Sequence, residues 1–147
     1  MAIPTQLDAR GPRFGAAITT LVLALAFITA GTAVATVLLL VQAVVFGIGA
    51  IVGPHAQPYG QLFAKFVKPR LAAPTVFEAP QPPRFAQAVG LGFAVAALIG
   101  IALGSATVTA VAVGFALAAA FLNAAFNFCL GCEMYLLIRR FIPATSH

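Results

Sequence analysis

The chain has 147 residues, of which 62% are hydrophobic and 7% charged, with a mean hydropathy of +1.05. So few charges cannot cover a water-soluble globule of this size, and the expected surroundings are a lipid bilayer. The net charge of +5 comes from 8 basic residues scattered over short segments, too dispersed for a phosphate-tracking groove, so no nucleic acid partner is expected.

The apolar residues form long stretches without the alternation of a β-barrel. The expected fold class is therefore all-α: a polytopic membrane protein with four transmembrane helices in two repeated hairpins, plus short interfacial helices. Residues 1–147 read as a single membrane domain.

The first dozen residues, with Pro4, Asp8, Arg10, Gly11 and Pro12, read as a polar tail or surface turn. A first span is expected from Gly15 to about Ala30. Arg10 and Arg13 before an apolar core, with Ala33-Val34-Ala35 resembling a cleavage site, would also suit a secretory signal, but a second apolar run follows at once. That run, about Ala33 to Val52, is interrupted by Gln42, and Gly31-Thr32 supplies the reversal of a helical hairpin. Beyond Gly53-Pro54, the stretch Leu62 to Lys68 mixes apolar and cationic residues, as a short interfacial helix does.

Arg70 to Arg84 contains Pro74, Pro80, Pro82 and Pro83 and is expected to be extended and exposed. The third span is expected from about Phe85 to Leu103 and the fourth from about Ala106 to Phe128, with Gly104-Ser105 between them. Apolar character continues to Ile142. At about 1.5 Å per residue that stretch overruns a hydrocarbon core of about 30 Å by roughly 20 Å. Either the helix protrudes or it bends near Cys129 to Cys132, where Gly131 is the expected hinge.

Pro12-Arg13-Phe14 and Pro83-Arg84-Phe85 each open a pair of spans. They mark an internal repeat, with one hairpin at about 12–69, a Pro-rich connection at 70–82 and a second hairpin at about 83–143. Aligning Pro69 with Pro143 places His55 opposite Cys129. Every Lys and Arg falls on one side of the four spans, and the positive-inside rule makes that side cytoplasmic. The expected location is a bacterial inner membrane with both termini in the cytoplasm.

Chemistry concentrates at Cys129 and Cys132. A CxxC pair is a redox or metal motif, open to reduction, disulfide formation, persulfidation or metal binding. A break just before Cys129 would place its thiol at a helix N-terminus, which favours the reactive thiolate, whereas in an unbroken apolar helix the neutral thiol is favoured. Glu133 could accept a thiol proton, or pair with a nearby basic residue. Asn123 and Asn127 share a helix face and are expected to hydrogen-bond across helices. His55, with Tyr59, could supply a proton or a ligand. A zinc site needs four ligands and these residues fall short, so no metal is expected. The chain lacks a phosphate loop, HExxH, GxSxG and an Asp–Ser–His set, and no cofactor is expected. No charge within the spans suits ion coupling.

Phe128-Cys129-Leu130-Gly131-Cys132-Glu133-Met134-Tyr135, with Asp8-Ala9-Arg10-Gly11-Pro12-Arg13-Phe14 and Pro83-Arg84-Phe85-Ala86-Gln87, resembles an uncharacterised family of small bacterial membrane proteins carrying a domain of unknown function. Members of that family occur beside, or fused to, thioredoxin-like and rhodanese-like sulfurtransferase proteins. The resemblance therefore implies thiol or sulfur handling, and points to Cys129, Gly131 and Cys132. The expected function is exchange of electrons or sulfane sulfur with such a partner through Cys129, Cys132 and Glu133, with His55, Asn123, Asn127 and Tyr135 in support. The alternatives are a non-catalytic scaffold that docks a soluble sulfur or redox enzyme, and a small permease for sulfur compounds. Nothing in the sequence signals an oligomeric state.

Overall fold

A computed structural model describes residues 6–142. Pro4 of the expected tail and Pro143, the anchor of the second repeat, lie outside the described residues. The chain runs β1 (Leu7–Asp8), α1 (Arg10–Ile28), α2 (Ala33–Ile51), α3 (Pro58–Leu62), β2 (Phe77–Glu78), α4 (Gln81–Ala102), α5 (Ala106–Phe126) and α6 (Leu130–Phe141). Helices α1, α2, α4 and α5, of 19 to 22 residues each, are long and apolar enough to cross a bilayer. The protein is an all-α polytopic membrane protein, and the bilayer is its surroundings.

Two stretches expected to be irregular are ordered. Residues 7–8 pair antiparallel with 77–78, Leu7 opposite Glu78 and Asp8 opposite Phe77, and the Ala9 N–H donates to the Val76 carbonyl at 3.1 Å. The short ladder ties the start of α1 to the Pro-rich connection. That connection ends early because α4 begins at Gln81, with Pro82 and Pro83 in its first turn, where the missing N–H costs nothing.

Both hairpin turns use one device. Gly31 and Gly104 have φ of 85° and 72°, which glycine adopts without steric cost. The hydroxyls of Thr32 and Ser105 then cap the next helix by accepting from the N–H groups of Ala35 and Val108.

The spans form a ring in which α1 packs on α2 and α5, and α4 on α2 and α5. At its centre lie Leu23, Ala26, Leu39, Ala97, Ala112, Val113 and Ala116. Small side chains at a helix crossing let backbones approach closely, which is how spans associate where lipid removes the hydrophobic drive.

The basic end carries two matching contacts. Arg13 donates to the carbonyls of Ala124 and Ala125 at the end of α5, and Arg84 to those of Ala50 and Ile51 at the end of α2. Each guanidinium therefore meets the negative end of a helix dipole and satisfies carbonyls with no partner inside the helix. Beside them, Phe14 meets Phe63 and Phe85 meets Tyr135, both with ring centroids 5.8 Å apart. All the lysines and arginines lie at this end, opposite the hairpin turns.

The expected interfacial helix is part of a helical segment over 58–70 that leaves Leu62 and Phe66 exposed. Its start dips inward. The Tyr59 hydroxyl donates to Gln42 Oε1 at 2.8 Å, and Gln42, fully buried midway along α2, donates to Thr19 Oγ1 at 3.4 Å.

Candidate functional site: a cysteine pair at a helix N-terminus

The apolar run that begins at Ala106 does break, but at Asn127 rather than Gly131. Asn127 takes a left-handed conformation, φ 55° and ψ 32°, which Asn tolerates better than most residues. The Asn127 N–H donates to the Asn123 carbonyl and the Phe128 N–H to that of Leu122, closing α5 as a left-handed cap does. The chain then turns and α6 starts at Leu130.

Gly131 is helical and buried, and its role is close packing. A Cβ at this position would lie 2.5 Å from Ala86 Cβ and 2.6 Å from Ala86 Cα, so glycine is what lets α6 rest directly on α4. Tyr135, one turn further on, secures the same contact through Phe85 and lies 6.0 Å beneath the Arg139 guanidinium. Arg139 and Arg140 occupy the last turn of α6, where cations suit the dipole.

The break makes Cys129 the N-cap of α6. Its Sγ accepts the Cys132 N–H at 3.1 Å, one of the helix-start donors with no partner in the helix. Cys129 and Cys132 are joined by a disulfide with Cα atoms 5.2 Å apart, and both are half-buried. The Cys129 sulfur thus sits on the positive end of a helix.

The supporting residues divide. Glu133 is exposed in the first turn of α6 and forms no ion pair among the described residues. Asn127 acts through its backbone. Neither Asn123 nor Asn127 makes a side-chain hydrogen bond across helices among the described residues, contrary to expectation, because the cap turns Asn127 outward and Asn123 instead faces a cavity. His55 is not part of the cysteine turn. It lies in a segment packed on α2 and α4, where both ring nitrogens are buried without a hydrogen-bond partner among the described residues, beside a cavity of about 270 Å³ that Asp8, Gln57, Lys68 and Gln87 also line. Among the described residues no group of three or more His, Cys, Asp or Glu could hold a metal ion.

Sequence reasoning missed Gln57 and Gln87. The Gln57 amide donates to the Val45 carbonyl and to Gln87 Oε1, joining the dipping segment to α4. Amides in so apolar a chain were the available signal. Asp8 is paired with Arg10 at 2.8 Å, and hydrogen bonds from the Arg10 side chain hold its carboxyl below the usual range. Burial pushes Glu78 above it.

The sequence profile of a family described as Domain of unknown function (DUF4395) matches residues 7–140, and the chain belongs to that family. Neither a curated protein nor a solved structure matches the chain.

Proposed function

We propose that this member of the DUF4395 family is a membrane-embedded dithiol protein whose Cys129 and Cys132 exchange electrons or sulfane sulfur with a soluble thioredoxin-like or rhodanese-like partner. The observation that carries the reading is the position of Cys129 at the start of α6, with the Cys132 N–H directed at its Sγ. A helix N-terminus stabilises a thiolate, the form that attacks.

In disulfide exchange, the Cys129 thiolate attacks a sulfur of the partner's disulfide and releases one partner thiolate. Cys132 then attacks Cys129 Sγ, which forms the intramolecular disulfide and releases the second. In sulfane transfer, Cys129 takes the outer sulfur of a partner persulfide, and Cys132 displaces it as hydrosulfide. Glu133 is the carboxylate of the same turn available to take the Cys132 proton.

The cluster of basic residues at this end supports a cytoplasmic site by the positive-inside rule, in a bacterial inner membrane with both termini inside. The paired contacts of Arg13 and Arg84, and of Phe14 and Phe85, support the reading of the two hairpins as duplicated, parallel units related by an axis along the membrane normal. On that reading the second unit converted its tail into the cysteine site.

Thiol trapping in cells tests the function. Cys132→Ser is expected to hold a partner in mixed disulfide through Cys129, and the wild-type pair to change oxidation or persulfidation state with the partner's. If neither single variant traps a partner and the wild-type pair never changes state, the reading fails. A partner still recovered with the Cys129→Ala/Cys132→Ala protein would instead mark a scaffold.

A further inference from the structure

A cavity of about 260 Å³ lies among α1, α2, α4, α5 and the first turns of α6. It is smaller than the roughly 300–1,000 Å³ of a drug-sized site, which suits a single ring. Its wall is apolar except for Thr19, Gln87 and Asn123. The Thr19 oxygen already accepts from Gln42, and Gln87 Oε1 from Gln57, while the Thr19 hydroxyl and the Gln87 amide nitrogen donate to nothing among the described residues, so both have hydrogens to offer. Asn123 adds a side-chain amide with no partner among the described residues.

Rings of Phe46, Phe93 and Phe115 also line the space. Phe115 stacks on Phe93 and is 61% exposed on the outside of the bundle, so the wall reaches the lipid-facing surface there. Thr19 lies about 13 Å along α1 from Arg10, which sets the cavity within the hydrocarbon half nearest the basic end. At that end its wall is Leu130 and Gly131, the two residues between the cysteines.

An apolar, aromatic chamber with hydrogen-bond donors, reached from lipid, fits a flat lipid-soluble molecule bearing acceptor oxygens. We propose that it binds the head group of a membrane quinone, and that the reduced Cys129–Cys132 pair is the quinone's electron donor. The second half rests on the dithiol reading above. Two S–H bonds give way to one S–S bond, releasing two electrons and two protons. The quinone takes up both, and its two carbonyls become the hydroxyls of the quinol. Thr19 and the Gln87 amide hold the carbonyl oxygens of the quinone, and Asn123 Oδ1 can accept from a quinol hydroxyl.

The test uses the full chain in lipid nanodiscs, reduced and freed of reductant, mixed without oxygen with a fully substituted decyl-benzoquinone, whose ring cannot add a thiol. One quinol is expected for each disulfide formed. Cys129→Ser should abolish quinol formation. Ala119→Leu and Ala120→Leu, which fill the chamber, should each slow it about tenfold while leaving reaction with a small soluble disulfide within about twofold. Reduced wild-type protein that reacts with the soluble disulfide yet forms no quinol would overturn the proposal and leave the dithiol reading standing. So would chamber variants that reduce the quinone at the wild-type rate. If the thiols react with neither, the dithiol reading falls, and quinone binding to the Cys129→Ser/Cys132→Ser protein judges the chamber alone: saturable binding supports it and no binding overturns it.

Discussion

Replacing Gly131 by alanine tests whether the cysteine turn depends on direct contact between α6 and α4. The added Cβ would lie 2.5 Å from Ala86 Cβ, against an optimal carbon–carbon separation of about 3.5–4.0 Å, so α6 must move outward by about 1 Å or more. Overpacking of this kind costs about 1–3 kcal/mol, while alanine recovers about 1 kcal/mol of helix propensity. The net expectation is a loss of up to about 2 kcal/mol, concentrated in the seating of α6. The assay is a double-mutant cycle on thermal stability in detergent, with Ala86→Gly as the partner change because it removes one of the two Ala86 atoms that the new methyl strikes, leaving the Cα. Gly131→Ala should loosen protection of α6 amides and lower the midpoint within that limit, and Ala86→Gly should recover part of the loss in the double variant, the rest persisting because Ala86 Cα still lies 2.6 Å from the new methyl. Strictly additive changes in the double variant, or α6 amides as well protected in Gly131→Ala as in wild type, would refute the packing argument.

Arg13→Gln and Arg84→Gln should each destabilise by about 1–2 kcal/mol, since charge-assisted hydrogen bonds are worth about 1.5–3 kcal/mol and the exposure of Arg13 reduces its share; chemical denaturation of both measures this, and a silent variant would break the proposed equivalence of the two hairpins. Gln42→Leu leaves the Tyr59 hydroxyl buried without its acceptor, at a cost of about 1–3 kcal/mol. Adding Tyr59→Phe should recover part of that, and a thermal melt of the double variant that is no better than the single contradicts it. Glu78, raised by burial, contributes stability that is present below its unfolded pKa and lost as pH rises through the folded one. Glu78→Gln should therefore be more stable than wild type near neutral pH and lose that advantage in acid, as read by melting against pH. Asp8, lowered by Arg10, runs the other way, its contribution being present above the ordinary carboxylate range and lost as pH falls through the folded value.

The four spans were legible because lipid leaves their signature in composition: long apolar runs, with every basic residue gathered at one end. The hairpin turns were legible as Gly-Thr and Gly-Ser, where backbone freedom and a capping hydroxyl sit side by side. A bend near the cysteines was one of two readings of the overlong apolar run, and its expected hinge, Gly131, was misplaced. Glycine serves both as a hinge and as a close-packing residue, and at position 131 the second use prevails because Ala86 lies against it; Asn127 bends the chain through a left-handed conformation that a single Asn does not announce. The Leu7–Asp8 ladder was hidden because its partner lies across the whole first hairpin. The links of Gln42 to Tyr59 and of Gln57 to Gln87 depend on how far the Pro58 segment dips between helices, and no local pattern encodes that depth.

On the proposed reading, the break at Asn127 turns Cys129 into an activated thiolate. Alkylation rates of reduced protein in lipid, measured from about pH 5 to pH 9 for Cys129 in Cys132→Ser and for Cys132 in Cys129→Ser, test it most directly. Cys129 is expected to react at least about tenfold faster near pH 6, with its midpoint well on the acid side of the roughly 8.5 of an ordinary thiol. Two cysteines that titrate together at that ordinary value would contradict it.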